Sequence, residues 1–162
     1  MLGQFKRVVY VQLARERLTV RDPRSGQAIS ERPDIAVKRG RKRDVVAVGN
    51  EARAAALNGD VAVVNPFAHP RSLLSDFTLA DQVLKAFLRR LPPSSFFRLS
   101  PAFVIHPIGE FEGGLTQIEL RAMRELGLGA GASEVILWQG PALTDEQLLN
   151  QAYPTSGKVL SE

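Results

Sequence analysis

Cysteine is absent from this sequence, histidine occurs only as His69 and His106, and no long apolar run interrupts its 162 residues. Without cysteine the chain has no disulfide and no thiolate metal ligand, and two imidazoles would leave a zinc site dependent on carboxylates. We therefore expect no metal site. No apolar run approaches the roughly 20 residues of a membrane helix, and the first residues lead into a strand-like run instead of a cleavable signal. These absences favour a cytoplasmic protein.

The composition is that of an ordinary globular protein, with 44% hydrophobic and 23% charged residues, and it predicts one domain with its own core. The formal net charge of +4 is small, so the position of the charge matters more than its size. Five cations surround Gly40 and form what we call the basic loop: Lys38, Arg39, Arg41, Lys42 and Arg43. The plainest interpretation is a solvated hairpin tip. Contact with anionic lipid is the first functional alternative, and contact with nucleic acid is less favoured.

The first half of the chain alternates polar and apolar residues with the period of β-strands. Strands at residues 7–13 and 17–22 should pair, and a proline-glycine turn leads to a third strand near residues 27–31. A second group is predicted after this antiparallel meander: strands at 34–38, 44–48 and 61–64, and a short helix at 51–57.

The second half changes to helical periodicity. Helical spacing predicts a helix over residues 78–91, which the prolines at 92 and 93 end. Thr116 and Glu119 form a capping box that starts the next helix, and we expect its side chains Ile118, Ala122 and Leu126 to face the core.

Buried strands are predicted at residues 103–106 and 134–138, on either side of that helix. Thr144 and Gln147 repeat the capping signal for a last helix. After Tyr153 the tail looks loosely held. We therefore assign residues 1–153 to a single domain and residues 154–162 to a loose C-terminal tail.

The predicted order is three strands, a small strand-rich insertion at about residues 32–64, and then helix, strand, helix, strand, helix. This order suits an α/β fold in which a mixed sheet of about five strands has helices packed over it. The last strands should be parallel and joined by right-handed crossovers.

Four passages carry a resemblance to a known family. Pro107-Ile108-Gly109, the helix beginning at Ile118-Glu119 and the run Gly129 to Val135 are similar to the VPIG, VERRAI and GAGA passages of the MreB cell-shape proteins. Residues 47–52 resemble the family's Val-Gly-x-x-Ala core, and residues 65–78 resemble the segment that precedes its long helix. The passages fall in the family's order from about residue 7 to Pro141. The chain thus resembles the first domain of a bacterial actin, a ribonuclease H-like half.

The departures from the family bear on function. In MreB the first hairpin carries D-L-G-T-x-N-T, whose aspartate works with the metal while its backbone cradles phosphate. In this sequence Gln12 stands at the aspartate position, Ala14 replaces glycine, and Arg15 and Arg17 replace small polar residues. The family's second phosphate loop and its adenosine motif belong to a second domain that this sequence lacks. The resemblance therefore implies loss of the ATPase, and we expect no enzyme activity and no cofactor.

Two further positions are vestiges of the nucleotide site. Gln139 matches the first glutamate of the family's E-E-P passage, which positions the hydrolytic water, and actins have glutamine there. Without phosphates to attack, a strand-end glutamine that bonds to backbone is the plainer interpretation. Gly109 belongs to the retained P-I-G passage. Neither Gln12, Gly109 nor Gln139 is a confident nucleotide contact.

Other chemistries find little support. A ribonuclease H-type nuclease needs three or four clustered carboxylates, one of them on the first strand, and that strand has none. Neither His69 nor His106 lies near a nucleophile-elbow pattern, so Ser-His-Asp chemistry is not expected.

Three functional hypotheses remain. The leading one is a non-enzymatic protein that binds a bacterial actin filament or its shape-determining partners. The second is a module in which the basic loop binds anionic lipid or nucleic acid. The third is residual ATP binding completed by oligomerisation. A homodimer through an exposed sheet edge is also expected. The first residues, Met1-Leu2 and Phe5 with Lys6 and Arg7, resemble a short membrane-insertion sequence and suggest weak peripheral contact with the inner membrane.

Overall fold

The computed structural model describes residues 7–40, 42–69, 72–92, 100–111 and 113–160. The elements of these residues follow the predicted order. The strands are β1 (Val8–Ala14), β2 (Arg17–Arg21), β3 (Ala28–Glu31), β4 (Ile35–Lys38), β5 (Val45–Val48), β6 (Val61–Val64), β7 (Ala102–Pro107), β8 (Glu134–Gln139) and β9 (Lys158–Leu160). The helices are α1 (Glu51–Ala55), α2 (Phe77–Arg90), α3 (Gln117–Gly129) and α4 (Asp145–Asn150).

A mixed sheet of six strands forms the centre, in the order β3-β2-β1-β7-β8-β9. The strands β1, β2 and β3 are the predicted antiparallel meander. Strands β7 and β8 run parallel to β1, because each is reached through a helical crossover. The predicted α/β class is confirmed, with one strand more than the five expected.

The larger core lies on the face of this sheet that α2 and α3 cover. Alternate residues of β1, Val9, Val11 and Leu13, share this core with Phe87 of α2 and Met123 of α3. Because side chains alternate across a strand, the residues between them point to the opposite face. There a smaller core forms under α4, and its buried members are Val8, Tyr10, Val104, Trp138, Leu143 and Leu148.

The predicted insertion is a three-stranded sheet in the order β5-β4-β6, with α1 packed on it. Gly49 links it to the main sheet. Its φ of +83° favours glycine, and a side chain there would collide with the carboxylate of Glu31. That carboxylate accepts the Asn50 N–H at 2.9 Å and pairs with Arg90 at the end of α2. The Val-Gly-x-x-Ala passage is therefore a junction between the two sheets.

The C-terminal tail differs from the prediction. Residues 158–160 form β9, which pairs antiparallel with β8. Gln151 takes a left-handed conformation with a φ of +51° that reverses the chain after α4, and Tyr153 stacks on Trp138 with ring centroids 5.7 Å apart. A strand of three residues is too short to show a period in the sequence, so this pairing was not predicted.

The prediction of which α3 side chains face the core was also wrong in part. Its buried side chains are Leu120, Met123 and Leu126, whereas Ile118 is 81% exposed. Ile118 precedes Leu120 by two residues, which is about 200° around a helix, so the two cannot share a face. Apolar residues on two overlapping faces left the sequence ambiguous, and packing against the sheet selects the face with Leu120.

Candidate functional site

The three vestigial positions lie at one end of the main sheet. In the parallel register Gln12 is level with His106, and Leu13 is level with Pro107. Gly109 follows β7, and Gln139 is the last residue of β8. The carboxyl ends of parallel strands are where open α/β sheets bind their ligands. The structure thus brings Gln12, Gly109 and Gln139 to the edge where a ligand would be expected.

The turn between β1 and β2 stands at the position of the family's phosphate hairpin. Ala14 pairs with Arg17, so Arg15 and Glu16 alone form the turn. The Arg15 guanidinium donates to the carbonyl of His69 at 2.8 Å. In return, the side-chain amide of Asn65 donates to the carbonyl of Arg15 at 2.7 Å. These two bonds fasten the turn to the segment at residues 65–69.

A cleft of about 600 Å³ opens beside this turn. Its lining includes Arg15, Phe67, Leu73, Gly109, Phe111 and Glu119. Gly109 has a φ of +145°, a conformation that essentially only glycine adopts. Retention of this glycine is therefore explained by the backbone path after β7.

A capping box begins α3 on the wall of the cleft. The Thr116 hydroxyl accepts the Glu119 N–H at 3.1 Å, and the Glu119 carboxylate accepts the Thr116 N–H at 2.8 Å. The other Glu119 oxygen lies 3.3 Å from the Leu73 N–H, which donates to it. The predicted capping box is confirmed. The Glu119 carboxylate thus occupies the Thr116 and Leu73 N–H groups and places a negative charge on this wall of the cleft, which disfavours an anion there.

Gln12 lies on the strand face that carries a buried polar network around Tyr10. Because side chains alternate along a strand, Gln12 shares the α4 face of β1 with Tyr10, and its side chain is partly buried there. Tyr10 Oη lies 2.6 Å from His106 Nδ1 and accepts the Leu143 N–H at 3.1 Å. Burial lowers the pKa of His106, although a hydrogen bond with Gly140 backbone opposes this, and burial raises the pKa of Tyr10. A neutral imidazole and a neutral phenol satisfy this network.

Gln139 is partly buried beside the added strand. It is paired with Lys158 of β9, and the chain passes close to it, because a side chain at Gly157 would approach the Gln139 carbonyl to 2.6 Å. The structure therefore places Gln139 at the expected sheet end, next to a strand that the sequence analysis did not predict.

The basic loop connects β4 and β5, as predicted for a hairpin tip. Lys38, Arg39, Lys42 and Arg43 are exposed, and Arg41 lies outside the described residues. Arg43 pairs with Asp76 at 3.3 Å, and Asp76 also caps α2 by accepting the Leu79 N–H at 3.0 Å. The tip is therefore cationic but anchored at one end.

Sequence reasoning missed the partners of Arg15. Both bonds join residues about fifty positions apart, and one acceptor is a backbone carbonyl that any residue could supply. Only the Asn65-Pro66 pair gave a local signal, since an asparagine before proline marks a turn.

The described residues also bear on metal sites and on membrane helices. They contain no cluster of three or more His, Asp or Glu side chains that could hold a metal ion. No helix among them is both long and apolar enough to cross a membrane.

The chain matches known proteins over most of its length. A family model described as "MreB/Mbl protein" matches residues 12–144. The cell shape-determining protein MreB of Escherichia coli K12 is 29% identical over 145 residues, which cover 86% of this chain and 40% of that protein. The chain thus spans less than half the length of this relative.

Solved structures show the same fold. MreB5 of Spiroplasma citri bound to ADP superposes with a TM-score of 0.65 at 19% identity, over 83% of this chain and 38% of that one. A MamK chain from a double helical filament superposes with a TM-score of 0.57 at 12% identity, over 80% of this chain and 40% of that one. The fold is therefore that of an actin-like half. With most of its residues matched by the family model, the chain belongs to the MreB/Mbl family.

Proposed function

We propose that this chain acts without hydrolysing nucleotide, through contacts with a bacterial actin filament or with proteins of the cell-shape machinery. The observation that carries the proposal is the turn between β1 and β2. At the family's phosphate hairpin it presents Arg15, whose guanidinium is bonded to the His69 carbonyl. The turn is held by the protein's own groups and needs no phosphate to order it.

Gln12 supports the same conclusion. A magnesium-phosphate site needs a carboxylate to balance and orient the metal. The neutral amide of Gln12 carries no charge, and it lies on the same strand face as the buried Tyr10. The relatives support a filament or a cell-shape protein as the partner, since MreB is a cell shape-determining protein and MamK forms a double helical filament. A chain that keeps such a fold without its phosphate contacts is suited to binding filaments.

Co-sedimentation with purified full-length MreB tests the proposal. We expect the chain to pellet with MreB filaments, or to change their mass or length, whether ATP or a non-hydrolysable analogue supports assembly. The chain spun alone controls for self-association. Unchanged filament mass and length, with the chain left in the supernatant, would contradict the proposal.

A second candidate is anion binding by the basic loop, and it would give the chain peripheral contact with the inner membrane from the cytoplasm. Lys38, Arg39 and Lys42 are exposed and have no acidic partner among the described residues. Binding of this kind falls steeply with salt. Anionic vesicles should bind the chain at low salt, and a variant with Arg41, Lys42 and Arg43 replaced by glutamate should not bind them. If that variant still binds the vesicles, the basic loop is not the binding site.

Residual nucleotide binding completed by oligomerisation is a third candidate, favoured by the position of Gly109 and Gln139 at the cleft end of the sheet. Strands β3 and β9 are the edges through which a homodimer could form. A Gln12→Asp variant restores the family's carboxylate. If this variant gains no affinity for MgATP at any protein concentration, the third candidate is removed.

A further inference from the structure

A groove lies between the small sheet and the beginning of α2, apart from the cleft described above. It encloses about 300 Å³, and the apolar part of its lining consists of Val37, Ala62, Val64 and Leu79. Lys38, Arg39 and Arg43 of the basic loop border the same groove. We call it the cationic groove.

The charges around the groove are unbalanced. Among the described lining residues the one carboxylate is Asp76, which already accepts the Leu79 N–H and pairs with Arg43. Lys38 and Arg39 are exposed and have no acidic partner among the described residues. Two cations therefore stand at the rim of an apolar hollow with their charge available to a ligand.

The shape of this surface favours a peptide over a membrane as the binding partner. A protein that dips into a lipid interface presents protruding apolar side chains. The described part of the basic loop between β4 and β5 has none: residues 39, 40 and 42–44 are arginine, glycine, lysine, arginine and aspartate. Val45 and Val46, which follow the loop at the start of β5, are 43% and 45% exposed and lie outside the groove lining. The apolar side chains of the groove itself line a hollow, which receives an inserted side chain and cannot enter a bilayer.

We propose that the cationic groove binds an acidic segment of a partner protein, with an apolar side chain of that segment seated on Ala62 and Val64. Carboxylates beside this anchor pair with Lys38 and Arg39 at the rim. Such an arrangement combines a desolvated apolar contact, which gives affinity, with rim charges that give orientation and association rate. The inference rests on the proposed function, because it names the kind of partner segment that the chain binds.

A labelled peptide tests the inference directly. The probe is a short fluorescein-labelled peptide of glutamates and leucines, and fluorescence anisotropy at near-physiological salt reports its binding. We expect saturable binding that weakens roughly tenfold or more in a Lys38→Glu, Arg39→Glu variant, since both rim contacts become repulsive. Ala62→Leu should also weaken binding, because the longer side chain occupies the hollow.

The matched control is an Arg89→Glu, Lys158→Glu variant. Both residues are exposed and lie outside the groove lining, and the two double variants change the net charge equally. Thermal unfolding shows whether each variant is folded. The control should bind the peptide nearly as well as the parent chain.

Several results would overturn the inference. They are no saturable peptide binding by the parent chain, equal loss in both double variants, or unchanged binding when alanines replace the leucines of the peptide. Binding to phosphatidylserine vesicles but not to the peptide would assign the surface to a membrane instead. If the Lys38→Glu, Arg39→Glu variant still co-sediments with MreB, the cationic groove is not the surface that contacts the filament. The proposed function would not be contradicted by that result.

Discussion

The carboxyl end of the main sheet and the tip of the small sheet differ in how their polar groups are used. At the sheet end, Arg15 is bonded to the His69 carbonyl, Glu119 to two backbone amides, and Tyr10 to His106. At the tip, Lys38, Arg39 and Lys42 have no acidic partner among the described residues. Polar groups at the sheet end are thus bonded within the chain, beside the cleft of about 600 Å³, whereas three cations at the tip carry charge without an acidic partner among the described residues. Substitutions should therefore affect stability at the first region and binding at the second.

The largest effect is expected from Trp138→Ala, beside the sheet end. Trp138 is fully buried, its indole N–H donates to the Pro141 carbonyl at 2.8 Å, and Tyr153 stacks on it. Removal should cost about 3–5 kcal/mol in the free energy of unfolding and release β9. Urea denaturation measures the first effect and amide exchange of residues 158–160 the second. Full protection of β9 in a folded variant would show that the tail is held without the tryptophan.

Tyr10→Phe should cost about 1–3 kcal/mol, because it leaves His106 Nδ1 and the Leu143 N–H buried without their partner. Urea denaturation of the variant checks the value. A change smaller than a few tenths of a kcal/mol would mean that this network contributes nothing to the stability of the sheet end.

Acidification should weaken the same network. Burial lowers the folded-state pKa of His106 below its ordinary value of 6.5, so the unfolded chain takes up the proton first. Stability from the neutral imidazole is complete above pH 6.5 and falls as the pH drops from there to the lowered folded-state pKa. Unfolding curves across this range, compared with those of His106→Gln, isolate the contribution. If the stability of the parent chain and that of His106→Gln change in parallel with pH, His106 does not cause the loss of stability on acidification.

The smallest effects come from a matched pair of exposed cations. Arg15→Ala removes a bond to the His69 carbonyl and should cost about 1 kcal/mol, whereas Lys42→Ala should change stability by less than about 0.5 kcal/mol. Thermal unfolding of both variants sharpens the contrast between the regions. Equal losses of stability at the two positions would show that the two regions do not differ in this way.

The parts of the fold that local signals determine could be predicted. Capping boxes at Thr116 and Thr144 gave the starts of α3 and α4, because a cap involves residues three apart. Strand β9 could not be predicted, because it is stabilised by Trp138 and by the edge of β8, which are distant in sequence. The phase of α3 was ambiguous for a similar reason, since the sheet decides whether Leu120 or Ile118 is buried.

The candidate site was predictable only in its positions. A family resemblance could align Gln12, Gly109 and Gln139 to one sheet end, and the structure places them there. The resemblance could not show that Arg15 reaches the His69 carbonyl or that the Tyr10 hydroxyl contacts His106, because both contacts depend on tertiary distance.

Isothermal titration of the chain with ATP and ADP in the presence of magnesium tests most directly whether the chain has lost nucleotide binding. Protein concentrations should be high enough to detect a dissociation constant near 1 mM, which corresponds to about 4 kcal/mol of binding free energy. We expect no heat of binding beyond dilution for either nucleotide. Saturable heat with a defined stoichiometry would contradict this expectation, because a phosphate site would then exist despite Gln12 and the bonded turn at Arg15.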